Sequence, residues 1–240
     1  MEDVILTGTN NWTAIGTSSL PFTGSFDGDG HTITGLDINA NTGNQGMFGY
    51  IGMGGVIENF GLVDANVFST NGTDIGIAAG TNSGGIIRKV FTTGRIESTY
   101  DVTQMRAGGI VGRNLDPGMI EYCYSTAEVI TIGSRAGGIV GSGSNISNCV
   151  ALNSLVQQGA NLNVGRIAGY SSAGTSNNFA YYDMVVMHIP SGSTLVRKTI
   201  AGTIDNEDGE DITAANVATV QAMLDAAFGA NAPDLTAYLP

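Results

Sequence analysis

Apolar residues return along this chain in blocks about thirty residues apart, not at a helical spacing. The clearest block is Gly108-Gly109-Ile110-Val111-Gly112, repeated as Gly137-Gly138-Ile139-Val140-Gly141, each after Arg-Ala. Looser copies are Gly46-Met47-Phe48-Gly49, Gly76-Ile77-Ala78-Ala79-Gly80 and Gly165-Arg166-Ile167-Ala168-Gly169. The closing glycines at 49, 80, 112, 141 and 169 are 31, 32, 29 and 28 residues apart. A period of this length predicts a solenoid in which each coil buries the apolar layer of its neighbour.

A second block follows the first in each repeat. Read by eye, its copies are Ile57-Glu58-Asn59-Phe60, Ile87-Arg88-Lys89-Val90, Ile120-Glu121-Tyr122-Cys123, Ile146-Ser147-Asn148-Cys149 and Ser176-Asn177-Asn178-Phe179. The fourth position is apolar or cysteine throughout and predicts an inward column. A spacing of three does not fit a strand, so a corner is expected between the isoleucine and the buried position. Asparagine at the third position suits a left-handed corner and amide stacking. In the glycine block, two apolar columns are adjacent. Alternation then predicts that one of them faces outward and needs a cover.

Before residue 46, Thr32-Ile33-Thr34-Gly35-Leu36-Asp37-Ile38 reads as a strand, Asp27-Gly28-Asp29-Gly30 as a turn, and Trp12 and Phe22 as the closure of the open end. The repeat fades after Asp183, and residues 184–204 read as extended. Residues 205–211 form an acidic loop. One helix is predicted over 214–228, capped by Thr213 and ended by Gly229. Its apolar face is Val217, Val220, Leu224, Ala227 and Phe228. The helix is expected to cover the last coil or the outward stripe. The fold class is thus all-β: a single-stranded right-handed parallel β-helix of six or seven coils with a short C-terminal α-helix. Residues 1–204 form the β-helix with its N-terminal cap, repeats run over about 46–183, and 205–240 pack on it.

Composition sharpens this picture. The chain has 240 residues, 36 glycines and 5 prolines, and no Gly-X-Y period. Glycine at that level suits many tight corners that need positive φ. Net charge is −12, and all nine basic residues lie between Arg88 and Lys198. Acidic ends and a mildly basic waist follow, with no nucleic-acid footprint. No stretch is apolar enough to cross a membrane and no leader is readable, so Met1 is expected to begin an already trimmed chain.

The glycine blocks, followed by Ile-Glu-Tyr-Cys-Tyr-Ser, resemble GLUG-motif repeats, and Trp12 to Leu36 resembles the lead-in to such repeats. The resemblance covers roughly residues 10–183. It implies a pectate-lyase-type β-helix from a bacterial surface protein, adhesin-like or akin to the non-catalytic regions of IgA-cleaving metallopeptidases. The zinc motif of those peptidases is absent; His31 and His188 are the two histidines.

Several residues compete for a functional role. Arg106 and Arg135 share one repeat position, with Asp74 a coil below and Asn163 a coil above. Stacked arginines repel unless an anion bridges them, so Arg106, Arg135, Arg113 and Asp74 form a candidate site for a carboxylated or sulfated sugar, with Arg95 as an extension. The alternative is a surface pair neutralised by Asp74 and solvent. Asp27 and Asp29 begin like a calcium loop, but the twelfth position is Ile38, not glutamate, so a plain turn is expected. The acidic loop reads as solvated. No metal or cofactor is expected beyond adventitious calcium. Glu97 and Glu128 fall at similar places in adjacent coils, as a lyase or hydrolase pair would, yet nothing else converges on them. Cys123 and Cys149 are expected as buried free thiols, because in-register stacking suits disulfide torsions poorly. Phe91, Tyr122, Tyr124, Tyr181 and Tyr182 either stack on sugar rings or fill the coils. No catalytic residue is assigned. The expected function is a non-enzymatic, extracellular or cell-surface scaffold or binding module, adhesin-like and monomeric, facing a glycan or host protein. The alternatives are a polysaccharide lyase or hydrolase, and an inert spacer.

Overall fold

A computed structural model describes residues 2–8, 11–101, 104–159, 163–190, 194–200 and 206–239. The chain winds as a parallel β-solenoid with one α-helix on its flank. Three sheets run along the axis. The largest has 16 strands, the second five and the third four. Positions Phe26, Ile57, Ile87, Ile120, Ile146 and Thr175 stack in register, marking six levels of the large sheet. A final rung, Glu210–Asp211, lies on Phe179–Ala180. The strand Val185–His188 closes its side of the stack through an antiparallel pair with Val196–Arg197. The boundary expected at 204/205 falls outside the described residues.

The corner expected in the second block exists. Asn59, Lys89, Tyr122, Asn148 and Asn177 all take positive φ, between 51° and 57°. Their neighbours Phe60, Val90, Cys123 and Cys149 point inward and are buried. The top copy, however, is shifted by one from the alignment made by eye. Thr175 pairs with Ile146 and Val150 with Phe179. Asn178 therefore takes the inward place and Phe179 faces out. Buried Asn178 is tolerated because both polar atoms of its amide are hydrogen-bonded. It accepts from Cys149 N at 2.9 Å and donates to Ile146 O at 2.9 Å.

The glycine block is not one strand. It is the corner between the third sheet, Arg106–Gly108, and the second, Val111–Leu115. Ile110 and Val111 lie on either side of that corner, so both apolar columns face the core. The exposed stripe expected from alternation is absent here, because the alternation restarts at the corner. The glycines serve close approach and not positive φ: a Cβ on Gly141 would lie 2.6 Å from Gly112 O and 2.7 Å from Ala107 N. Backbone atoms cannot step aside. Gly141→Ala is expected to destabilise the fold by about 3 kcal/mol; an unfolding free energy from urea titration within about 1 kcal/mol of the parent's would overturn that reading of the motif.

Buried corner carbonyls need donors. Thr92 Oγ1 donates to Gly109 O at 2.9 Å, and Asn153 Nδ2 reaches Gly138 O at 3.3 Å. Asn82 and Asn114 form a second internal ladder, linked at 2.7 Å. The N-terminal end is closed by Trp12 and Phe22, both packed on the core; Trp12 Nε1 donates to Met47 O at 2.9 Å.

The helix spans Val217–Phe228, three residues shorter than expected. Asn216 ties up the preceding turn, accepting from Thr213 N at 2.8 Å and donating to Asp211 O at 2.9 Å, so Thr213 does not cap. Gly229 ends the helix with φ 53°. Val220 and Leu224 cover an outward stripe of Phe91, Tyr124, Val150 and Phe179. A stripe needing a cover therefore exists, one residue beyond the inward column of the second block.

Candidate functional site

The third sheet carries a charge ladder. Asp74 pairs in register with Arg106, and Arg106 with Arg135. Seven residues further on in each coil, the second sheet supplies Thr81, Arg113 and Ser142, again in register. The two sheets thus set the column Asp74–Arg106–Arg135 beside the column Thr81–Arg113–Ser142, in contact through Thr81–Asp74 and Arg135–Ser142.

The members of these columns are not equivalent. Arg106 is buried, at 6 % exposure, and its Nη1 lies 2.7 Å from Asp74 Oδ1. Thr81 Oγ1 donates to the other carboxylate oxygen at 3.1 Å. This lower pair is neutral as a unit. Arg135 is half-buried, and among the described residues it joins no ion pair. Its guanidinium lies 5.0 Å from the centroid of the Tyr170 ring, a cation–π geometry. Its Nη1 is 3.4 Å from Ser142 Oγ. Burial first, then the positive charges of Arg106 and Arg113, pull the Arg135 pKa below the usual arginine value. The Nε atoms of Arg106 and Arg135 are buried without a hydrogen-bond partner. Arg106 and Arg135 are thus two cations one rung apart, of which only Arg106 has a carboxylate partner among the described residues.

The other candidates fare differently. Arg95 does not extend these columns: it sits on the large sheet and bridges Glu97 at 3.0 Å and Glu128 at 2.7 Å. The two glutamates are not register partners; Glu97 stands opposite Ile130 and Glu128 opposite Arg95. Both carboxylates are thus held by one guanidinium, which suits neither a nucleophile nor a general base. Asp27 accepts from Asp29 N at 2.9 Å and from Asn59 Nδ2 at 3.1 Å, which binds it into its own turn. Those hydrogen bonds, the Asp29 one first, hold its pKa below the carboxylate norm. Cys123 and Cys149 are buried free thiols, and burial raises the Cys123 pKa well above the usual thiol value.

The aromatics divide. Phe91 and Tyr124 stack with centroids 4.9 Å apart, Phe228 sits edge-on to both, and Tyr124 Oη donates to Asn231 O at 2.6 Å. They dock the C-terminal segment. Tyr122 and Tyr182 stay exposed.

The acidic loop is not simply solvated. Asp205 lies outside the described residues, but Asp208 is buried and meets Lys198 Nζ at 3.3 Å. Fully buried Arg166 donates to Asp208 O at 3.0 Å, Gly209 O at 2.9 Å and Tyr181 O at 3.2 Å, and pairs with Asp211 at 2.5 Å. Arg166 replaces the second glycine of the repeat, so its side chain rises where the next coil would sit. That substitution, Gly-Gly to Gly-Arg, was the sequence signal for the end of the stack. No helix among the described residues is long and apolar enough to cross a membrane.

The fold and its corner glycines define a parallel β-solenoid carrying a GLUG motif, and residues 103–131 match that motif. The match contains Arg106–Gly112; the copy at 137–141 lies beyond it. Halomucin of Haloquadratum walsbyi is 45 % identical over 92 residues, which is 38 % of this chain and 1 % of halomucin. The chain therefore spans a very small part of that relative. The crystal structure of a Bacteroides ovatus protein provisionally named an immunoglobulin A1 protease superposes with a TM-score of 0.61 at 21 % identity, covering 94 % of this chain and 79 % of that one. At that identity the likeness shows a shared fold.

Proposed function

We propose that this chain is a non-enzymatic scaffold and binding module, adhesin-like in use, that offers the Arg106–Arg135–Arg113 face to a carboxylated or sulfated glycan. GLUG-motif and β-solenoid relatives are typically extracellular or cell-surface bacterial proteins, and this reading places the chain outside the cell as a monomer. One observation carries the ligand assignment. Asp74 neutralises Arg106, while Arg135, one rung above, has no acid at ion-pair distance among the described residues. A ligand carboxylate or sulfate would complete the alternation of charge that Asp74 begins. Tyr170, 46 % exposed, adds a ring face beside it. The lyase or hydrolase alternative loses its best carboxylate pair to Arg95.

The test is a glycan array of uronic-acid, sulfated and neutral oligosaccharides. Acidic glycans are expected to be bound preferentially, and Arg135→Gln to weaken them about tenfold or more, the range for a lost charge-assisted hydrogen bond. Equal binding of neutral and acidic glycans, or an Arg135→Gln variant that binds as the parent does, would sink the proposal. A second reading, a spacer unit within a very long chain, draws on halomucin, of which this chain spans only 1 %. An array with no bound glycan at all would favour it.

A further inference from the structure

A groove of about 570 Å³ opens at the N-terminal end of the solenoid. Asn11, Trp12, Asn39, Asn41, Thr42 and Asn44 line it, and it contains no charged side chain. Its size is that of a ligand site, and its donors and acceptors are amides and hydroxyls around an indole. That chemistry suits neutral sugar hydroxyls, which need paired donors and acceptors without charge.

The groove is joined to the charge ladder. Thr81 Oγ1 lies 3.1 Å from Asn44 Oδ1 and 3.1 Å from Asp74 Oδ2. Gln45 forms a bridge with Ile75, so the groove's wall is the rung directly below Asp74. Upward from Asn44 the rungs read Asp74, Arg106 and Arg135. Along this column the groove end is neutral, the buried Asp74–Arg106 pair is neutralised within itself, and half-buried Arg135 carries the charge. Three rungs separate Asn44 from Arg135, roughly 14 Å at the spacing of parallel strands. That span calls for several linked sugars; a single one is too short.

We infer that the groove and the Arg135 cradle are two subsites of one track, which binds an extended glycan parallel to the solenoid axis, with a neutral sugar in the groove and an acidic sugar at Arg135. The inference rests on the anion-site reading above and adds the second subsite, the ligand's direction and its minimum length. Linking the two subsites through one chain makes the second contact intramolecular, so affinity rises with length once the chain spans both.

The probes are hyaluronan oligosaccharides, in which glucuronate alternates with neutral N-acetylglucosamine, and neutral chitohexaose. Binding is followed by ¹⁵N NMR of the full chain, reading the Asn41 and Asn44 side-chain amides and the Arg135 Nε–H. The hyaluronan hexasaccharide is expected to shift both ends and to bind at least about tenfold more tightly than the disaccharide, which shifts Arg135 alone. Chitohexaose is expected to shift only the groove. Asn41 is exposed and its side chain joins no hydrogen bond among the described residues, so Asn41→Ala should fold normally. It is expected to abolish the length gain while leaving the disaccharide affinity unchanged. Equal affinity for both lengths, with shifts at Arg135 alone, overturns the track but leaves the anion site standing. Shifts confined to the groove with every probe overturn both, as does the absence of any shift.

Discussion

Arg166→Ala is expected to cost about 3–5 kcal/mol and to loosen the upper coil first. The side chain is fully buried and donates to the Asp208, Gly209 and Tyr181 carbonyls, the last of which it shares with Met184 N. Removing it takes a donor from the Asp208 and Gly209 oxygens in a buried space. The ion pair with Asp211 contributes less, because that carboxylate is 50 % exposed and screened by water. Lysine is not expected to rescue the variant, since one ammonium cannot match a guanidinium fork spread over four acceptors. Urea unfolding followed by circular dichroism gives the total. Hydrogen exchange at Ile167 and Ala168, whose amides both donate to Glu207 O, gives the location. A loss below about 1 kcal/mol would show that Arg166 does not hold the end of the solenoid.

A chain ended after Ile212 keeps that closing segment and loses only the helix and tail. It is expected to become sticky and less stable. Phe91, Tyr124, Val150 and Phe179 would form a continuous exposed apolar stripe, and the partners Val220, Leu224 and Leu235 would be gone. Each buried side chain of this kind is worth about 1.5–3 kcal/mol. The readouts are dye binding to exposed apolar surface, a lower thermal midpoint, and association in light scattering. A monomeric truncation with the parent's midpoint would mean that the helix is not a cover. Because Arg166 keeps all its acceptors in this chain, the two experiments separate the end closure from the flank closure.

Much of the architecture was legible in the chain. The recurrence of Arg-Ala-Gly-Gly-Ile-Val-Gly announced neighbouring coils, and Val111 and Val140 do pair directly. The second block announced a corner, which lies at the asparagine position as expected. Errors arose where local rules were carried across that kind of bend. Alternation holds only within a strand, so the pattern puts the outward column in the glycine block, whereas it lies beside Cys123 and Cys149. The shift at Asn178 is hidden in the pattern because an amide in an apolar column is acceptable only with its two partners, which lie a coil away. Among the candidate residues, spacing alone aligned Asp74, Arg106 and Arg135. The fate of Glu97 and Glu128 depended on Arg95, which sits opposite Glu128 in the next coil, and no local pattern reports such a neighbour.

The sequence by itself determined the winding, the repeat length and the stacking of like residues on like. These follow from a period written into the chain, and every coil reads the same instruction. The tertiary structure alone decided which residues are sealed and which are open. It buried Arg106 and left Arg135 half-open, turned an acidic loop into the closing rung over Arg166, and laid the helix across one stripe of the flank. The reason is physical: exposure and charge balance belong to a side chain's surroundings, and in a solenoid those surroundings are supplied by residues a full coil away.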